Sequence, residues 1–170
     1  MEVLDRPYTK RYKPIGACII AATLLWFMII DSPSAAYSEE IKWLNSKLLA
    51  KAICDQFMKK LVDGDTGGAM ELMRPYFPFG RDRFDKLKFQ ATAYKTIIQS
   101  QLGSAVGYQF LREESIGDVM VSYTFIEKYE LSGIAWIFFF YSPDGQRWYG
   151  NGIHFTDELA RYLFTYSAIR

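Results

Sequence analysis

The sequence predicts an α+β domain behind an N-terminal apolar helix, on three observations. An uncharged run, residues 15–30, lies near the start of the chain. Apolar residues then recur at helical spacing up to Gly103, and from Ser104 the period changes to two. Finally, "IAWIFFFY" (134–141) is apolar at odd and even positions alike, as in a strand covered on both faces. Helices gathered ahead of a set of strands argue for a segregated α+β arrangement.

The run at 15–30 falls between a signal core of about 7–15 apolar residues and a membrane span of about 17–25. Arg6, Lys10, Arg11 and Lys13 precede it; Asp31, Glu39 and Glu40 follow. That asymmetry leaves the N-terminus in the cytoplasm and exports the remainder. Asp31-Ser32-Pro33 breaks the helix, and Ser34-Ala35-Ala36 places small residues where a cut after Ala36 needs them. The long basic leader fits a retained anchor, so two fates stand. Residues 1–36 are a cytoplasmic tail plus a signal peptide or membrane anchor, and residues 37–170 are an extracytoplasmic domain. The chain belongs to the cell envelope, released into the periplasm by cleavage or tethered through 15–30. Cys18 sits near the start of the run rather than at its end, which argues against lipidation there.

In chain order, residues 38–62 read as an amphipathic helix capped by Ser38, with Ile41, Leu44, Leu48, Ala52, Phe57 and Leu61 on its apolar stripe. Gly64 stops it. Asp65 or Thr66 caps a short helix through Met73, which Pro75 ends. Asp82 caps a third helix with Phe84, Leu87, Ala91, Tyr94, Ile98 and Leu102 inward, and Gly103 closes it. Val106, Tyr108 and Phe110 alternate in a first strand, and Val119, Val121, Tyr123 and Phe125 in a second. Residues 134–141 form a central strand. "SPDGQ" turns the chain into a returning strand over 147–155. Thr156 caps a last helix with Leu159, Tyr162, Leu163 and Tyr166 inward.

A long helix ending in "LVDGD", a short helix "GGAMELM" before a proline, a third helix, then long antiparallel strands with Asp144, Gly145 and Trp148 at the last turn: this order resembles the NTF2-like (cone-fold, SnoaL-like) superfamily, and most of all its small exported bacterial members. The resemblance covers about residues 41–155. It implies a curved sheet wrapped on helices, a pocket inside the cone, and dimers through the outer face of the sheet. The helix after Thr156 departs from many members. The superfamily implies no single function.

Composition narrows the chemistry. Twenty Lys and Arg against nineteen Asp and Glu give a net charge of +1, with no global field to recruit nucleic acid. One histidine and one exported cysteine do not make a usual zinc set, and no nucleophile elbow, phosphate loop or dinucleotide fingerprint is present. No cofactor, metal or catalytic residue is assigned. Cys54 reads as a small buried hydrophobe.

The pocket candidates are His154, Trp148, Gly150 and Gly152, which share strand phase, with Trp136 and Tyr123. His154 could be paired with Asp118 or Glu127 as a proton-transfer site, or be an edge histidine with no chemistry. The two glycines leave either a pocket floor or a gap that aromatic rings fill. Arg81, Arg83, Lys86 and Lys88 could meet lipid headgroups or form a solvated face. The interface candidates are Phe139, Ile137 and Tyr141, on the face of the central strand that the helices do not cover. Their cover is the last helix, a second copy of the chain, or another envelope protein. Three function classes follow: an exported non-catalytic binding or assembly module, an anchored structural subunit of an envelope or secretion machine, and a small pocket isomerase, dehydratase or hydrolase.

Overall fold

The computed structural model describes residues 40–161, which lie in the second of two units into which the chain divides between Ser38 and Glu39. The apolar run, the cut after Ala36, Ser38 and the last helix beyond residue 161 lie outside the described residues. Among the described residues three α-helices precede a curved four-stranded antiparallel sheet, as the change of period predicts.

The first helix, α1 (Lys47–Val62), starts later than expected. Its cap is Ser46, whose hydroxyl accepts from Leu49 N at 3.2 Å. Leu44 is extended instead, exchanging two 2.9 Å backbone hydrogen bonds with Trp148. The buried face is Ala50, Ile53, Cys54, Phe57, Met58 and Leu61, and Leu48 is 76% exposed. Phe57 and Leu61 of the expected stripe are buried, whereas Leu48 and Ala52 are out of phase with them. The step of five from Ala52 to Phe57 turns a helix of 3.6 residues per turn by about 140°, so residues in line with Leu48 and Ala52 cannot share the face of Phe57 and Leu61.

Gly64, at φ +86°, ends α1. In α2 (Thr66–Met73), Asp65 accepts from Gly68 N at 2.8 Å, as the capping pattern foretold. A 3-10 turn, Arg74–Tyr76, follows around Pro75. Helix α3 (Arg81–Leu102) has Gly80 at its N-cap, and Asp82 lies in the first turn without capping it. Phe84, Ala91 and Ile98 are buried along α3, Leu87, Tyr94 and Leu102 pack beside them, and Gly103 ends the helix at φ +83°.

The strands β1 (Ala105–Ile116), β2 (Met120–Tyr129), β3 (Gly133–Tyr141) and β4 (Tyr149–Thr156) pair in chain order, so β2 and β3 are central. Val106 leaves the expected face because the β1–β2 register shifts between Ala105 and Gly107. Val119 stands in the turn and is exposed. Asp144 ties the last turn, accepting from Gln146 N and Arg147 N, with Gly145 at φ +74°.

The core lies between the helices and the inner face of the sheet. Its rings interlock: Phe57 against Trp136 and Phe138 at 5.5 and 5.0 Å, Phe125 against Phe138 and Phe110 at 5.9 and 5.2 Å, and Phe155 against Trp136 and Tyr94 at 5.0 Å each. Tilted and edge-on pairs of this kind add to the hydrophobic gain of burial. On the outer face Ala135 and Ile137 are also fully buried. Thr156 Oγ1 accepts from Glu158 N at 3.1 Å as the chain turns after β4, and Leu159 lies beside Gly133 and Ile126 on that outer face.

Candidate functional site

Two periodicities deliver one charge each into the core. Strand alternation points Val121, Tyr123 and Phe125 inward, and Glu127 follows in phase. On α3, Lys95 lies between Ala91 and Ile98 on the buried stripe. The two meet. Lys95 Nζ bonds Glu127 Oε1, Trp136 Nε1 donates to Glu127 Oε2 at 3.1 Å, and Lys95 Nζ also donates to the Leu61 carbonyl at 3.4 Å. The ammonium sits 5.0 Å from the centroid of the Tyr129 ring.

Two phenols border this pair. The hydroxyls of Tyr129 and Tyr94 are buried without a well-formed hydrogen bond, although Glu127 lies near the first and Asp157 near the second. Burial, then the neighbouring carboxylate, pushes both phenols up, so they stay protonated. Glu127 is wholly buried with both oxygens engaged. Its burial keeps it from solvent and each oxygen already holds a donor, so the cluster is a closed, mutually compensated charge pair.

The expected pocket residues do not converge. A register shift between Phe139 and Phe140 pairs them with Gly152 and Gly150, leaving Asn151 as an extra residue in β4. Gly150 and Gly152 therefore lie on opposite faces, which corrects the shared phase read from the sequence. Gly150 faces the core, where a Cβ would collide with the ring of Phe77. The gap is filled by Phe77, not by Trp136 or Phe138. Gly152 faces outward with His154, which is exposed and in register with Ile137. Neither expected carboxylate stands beside His154. Glu127 is on the inner face, and Asp118 is at the β1–β2 turn, 3.5 Å from Lys47. Trp136 and Tyr123 are fully buried, with Tyr123 Oη donating to the Lys47 carbonyl at 2.6 Å. Trp148 is buried beneath Lys47 Nζ, 5.3 Å from its ring.

The interface candidates form a gradient on the outer face: Ile137 fully buried, Phe139 half-buried, Tyr141 43% exposed. Cys54 is buried and unpaired, and burial raises its thiol well above the ordinary value, the mark of an inert thiol. Among the described residues no cluster of His, Cys, Asp and Glu fits a metal, and no helix is long and apolar enough to cross a membrane. An open cleft of about 370 Å³ lies between α3 and β4, and Gly152 is the one pocket candidate that lines it.

Sequence reasoning passed over Lys95. The signal that finds it is a charge in phase with an apolar stripe on one element, matched by an opposite charge in phase on another. No protein-family model, curated protein or solved structure matches this chain.

Proposed function

We propose that this chain is an exported, non-catalytic binding or assembly module of the bacterial cell envelope, built on an NTF2-like cone. The observation that carries this reading is the occupied interior. Where a cone enzyme would hold substrate, this domain holds interlocked aromatic rings and a buried Glu127 carboxylate bonded to Lys95 and Trp136. Recognition then falls to the outside of the domain. Export rests on the basic flank before residues 15–30 and the acidic residues after it.

Crosslinking in intact membranes followed by pull-down tests the assembly reading, with His154→Ala and Glu127→Gln beside the wild type. His154→Ala should retain the wild-type set of crosslinked envelope proteins and the cellular phenotype, and Glu127→Gln should do so for whatever fraction folds with Lys95 left unpaired. A folded Glu127→Gln or His154→Ala protein that keeps its crosslinks but loses the phenotype would sink the non-catalytic reading in favour of a pocket enzyme.

A further inference from the structure

The basic cluster at the start of α3 is sorted by the fold into two sets. Lys88 reaches Glu71, and Arg74 reaches both Glu71 and Asp85, so these two carboxylates are taken up on the α2 side of the helix, while Asp82 stands exposed in the first turn and does not line the cleft. Arg83 and Lys86 face the other way, with no carboxylate paired to either among the described residues. They line the 370 Å³ cleft against β4 together with Leu87 and Gln90, at the i, i+3, i+4, i+7 spacing of a single helix face.

The opposite wall is the edge of β4 at Asn151, Gly152 and Ile153. Here the extra residue in β4 matters. The bulge carries Asn151 out of the ladder and onto the cleft, a use bulges have beside binding sites. Arg83 is held in place as well, its guanidinium 4.1 Å from the centroid of the Phe79 ring. Stacking occupies a face of the guanidinium and leaves its N–H edge for an anion. The floor is apolar, from Leu87, Phe84 and Ile153, and the volume lies at the small end of ligand sites.

We infer that this cleft binds a small organic carboxylate with an apolar body. The head is held by Arg83 and Lys86, the amides of Gln90 and Asn151 orient it, and the body rests on Leu87 and Ile153. The charge complementarity is one-sided, with two cations, two neutral amides and no acid on the cleft walls. The inference stands apart from the assembly reading, since either holds without the other.

The test titrates the full chain, in lipid nanodiscs, with 4-phenylbutyrate by calorimetry, with empty nanodiscs as the blank. One saturable site is expected. The uncharged analogue 4-phenylbutanol should bind at least about tenfold more weakly, and Arg83→Gln and Lys86→Gln should each weaken the acid by about tenfold, the worth of one charge-assisted hydrogen bond. Gln90→Trp should block the site without changing its charge. Lys86 is exposed, so Lys86→Gln remains informative if Arg83→Gln disturbs the packing of Phe79; near-ultraviolet circular dichroism checks each fold. Absence of saturable binding, equal binding of the alcohol, or unchanged affinity in folded Lys86→Gln overturns the inference. So does chain in neutral nanodiscs that ignores the free acid and binds only vesicles containing phosphatidylglycerol, because the cations would then meet headgroups and not a small acid.

Discussion

Burying a lysine and a glutamate among aromatic rings is costly unless each answers the other, and Lys95 and Glu127 do so with help from Trp136 and the Leu61 carbonyl. The cost of breaking such a pair exceeds the benefit of making it. Lys95→Ala or Glu127→Ala alone should lower the unfolding free energy in urea by about 3–5 kcal/mol, a large part of a typical total of about 5–15. The double change Lys95→Met with Glu127→Leu removes both charges and keeps volume, and should regain most of that loss. A double variant as unstable as the singles would mean that charge compensation is not what the pair supplies. Both residues carried a readable sign, since each lies in phase with buried neighbours, but a charge is taken for a solvent-facing residue until its partner is seen. Gly150 and Gly152 teach the opposite lesson. Their common parity was plain in the sequence, and one inserted residue, Asn151, placed them on opposite faces.

Helices α2 and α3 are joined by an ionic clasp, in which the Glu71–Arg74 pair is local to the end of α2 and Lys88 and Asp85 bring in α3. Glu71 accepts from Arg74 Nε at 2.7 Å and from Arg74 Nη2 at 3.2 Å, and it takes Lys88 Nζ at 2.5 Å; Arg74 also bonds Asp85. The Arg74 hydrogen bonds first, and Lys88 second, lower the Glu71 carboxyl from its ordinary 4.5 to about 2. The folded value is the lower one, so the stabilisation is complete above about pH 4.5 and is lost as pH falls toward about 2. Glu71 is 44% exposed, which makes the effect modest and sensitive to salt. Thermal midpoints followed from about pH 5 to 2 should fall less steeply for Glu71→Gln than for the wild type. Parallel curves would show that the clasp adds nothing. The existence of α1 was legible from its length and periodicity, but its start and phase were not. The pairing of Leu44 with Trp148, 104 residues later, straightens the chain ahead of Ser46.

Across the domain as a whole, the outer face of the sheet is covered unevenly. The sequence offered three covers, a second copy, the segment after Thr156 and another envelope protein, and the first two are separable in the purified chain. In the structure Ile137 is already buried in the single chain, and Leu159 leans over Gly133 on the same face. Tyr141, farther along β3, is 43% exposed. Ile137→Glu should therefore unfold the domain in any oligomeric state, since an unpaired buried charge costs several kcal/mol. Tyr141→Glu should leave it folded, and should lower the sedimentation coefficient of the full chain only if this end of the face joins two copies. A wild-type chain that sediments as a monomer at high concentration removes the second copy as the cover.

What the sequence determined by itself is local. Apolar period separates the helices from the strands, the run at 134–141 announces a central strand, buried on both faces as far as Phe138, and Asp65, Gly103 and Asp144-Gly145 place a cap, a helix end and a turn. These hold because a few neighbouring residues decide them. The tertiary structure decided everything that needs a distant partner. It chose the face of α1 that packs, put an extra residue in β4, matched Lys95 to Glu127, filled the space above Gly150 with Phe77, and turned His154 away from any carboxylate the sequence had set beside it. Period is a property of one segment, whereas register and charge compensation belong to two segments at once, and only packing brings the two together.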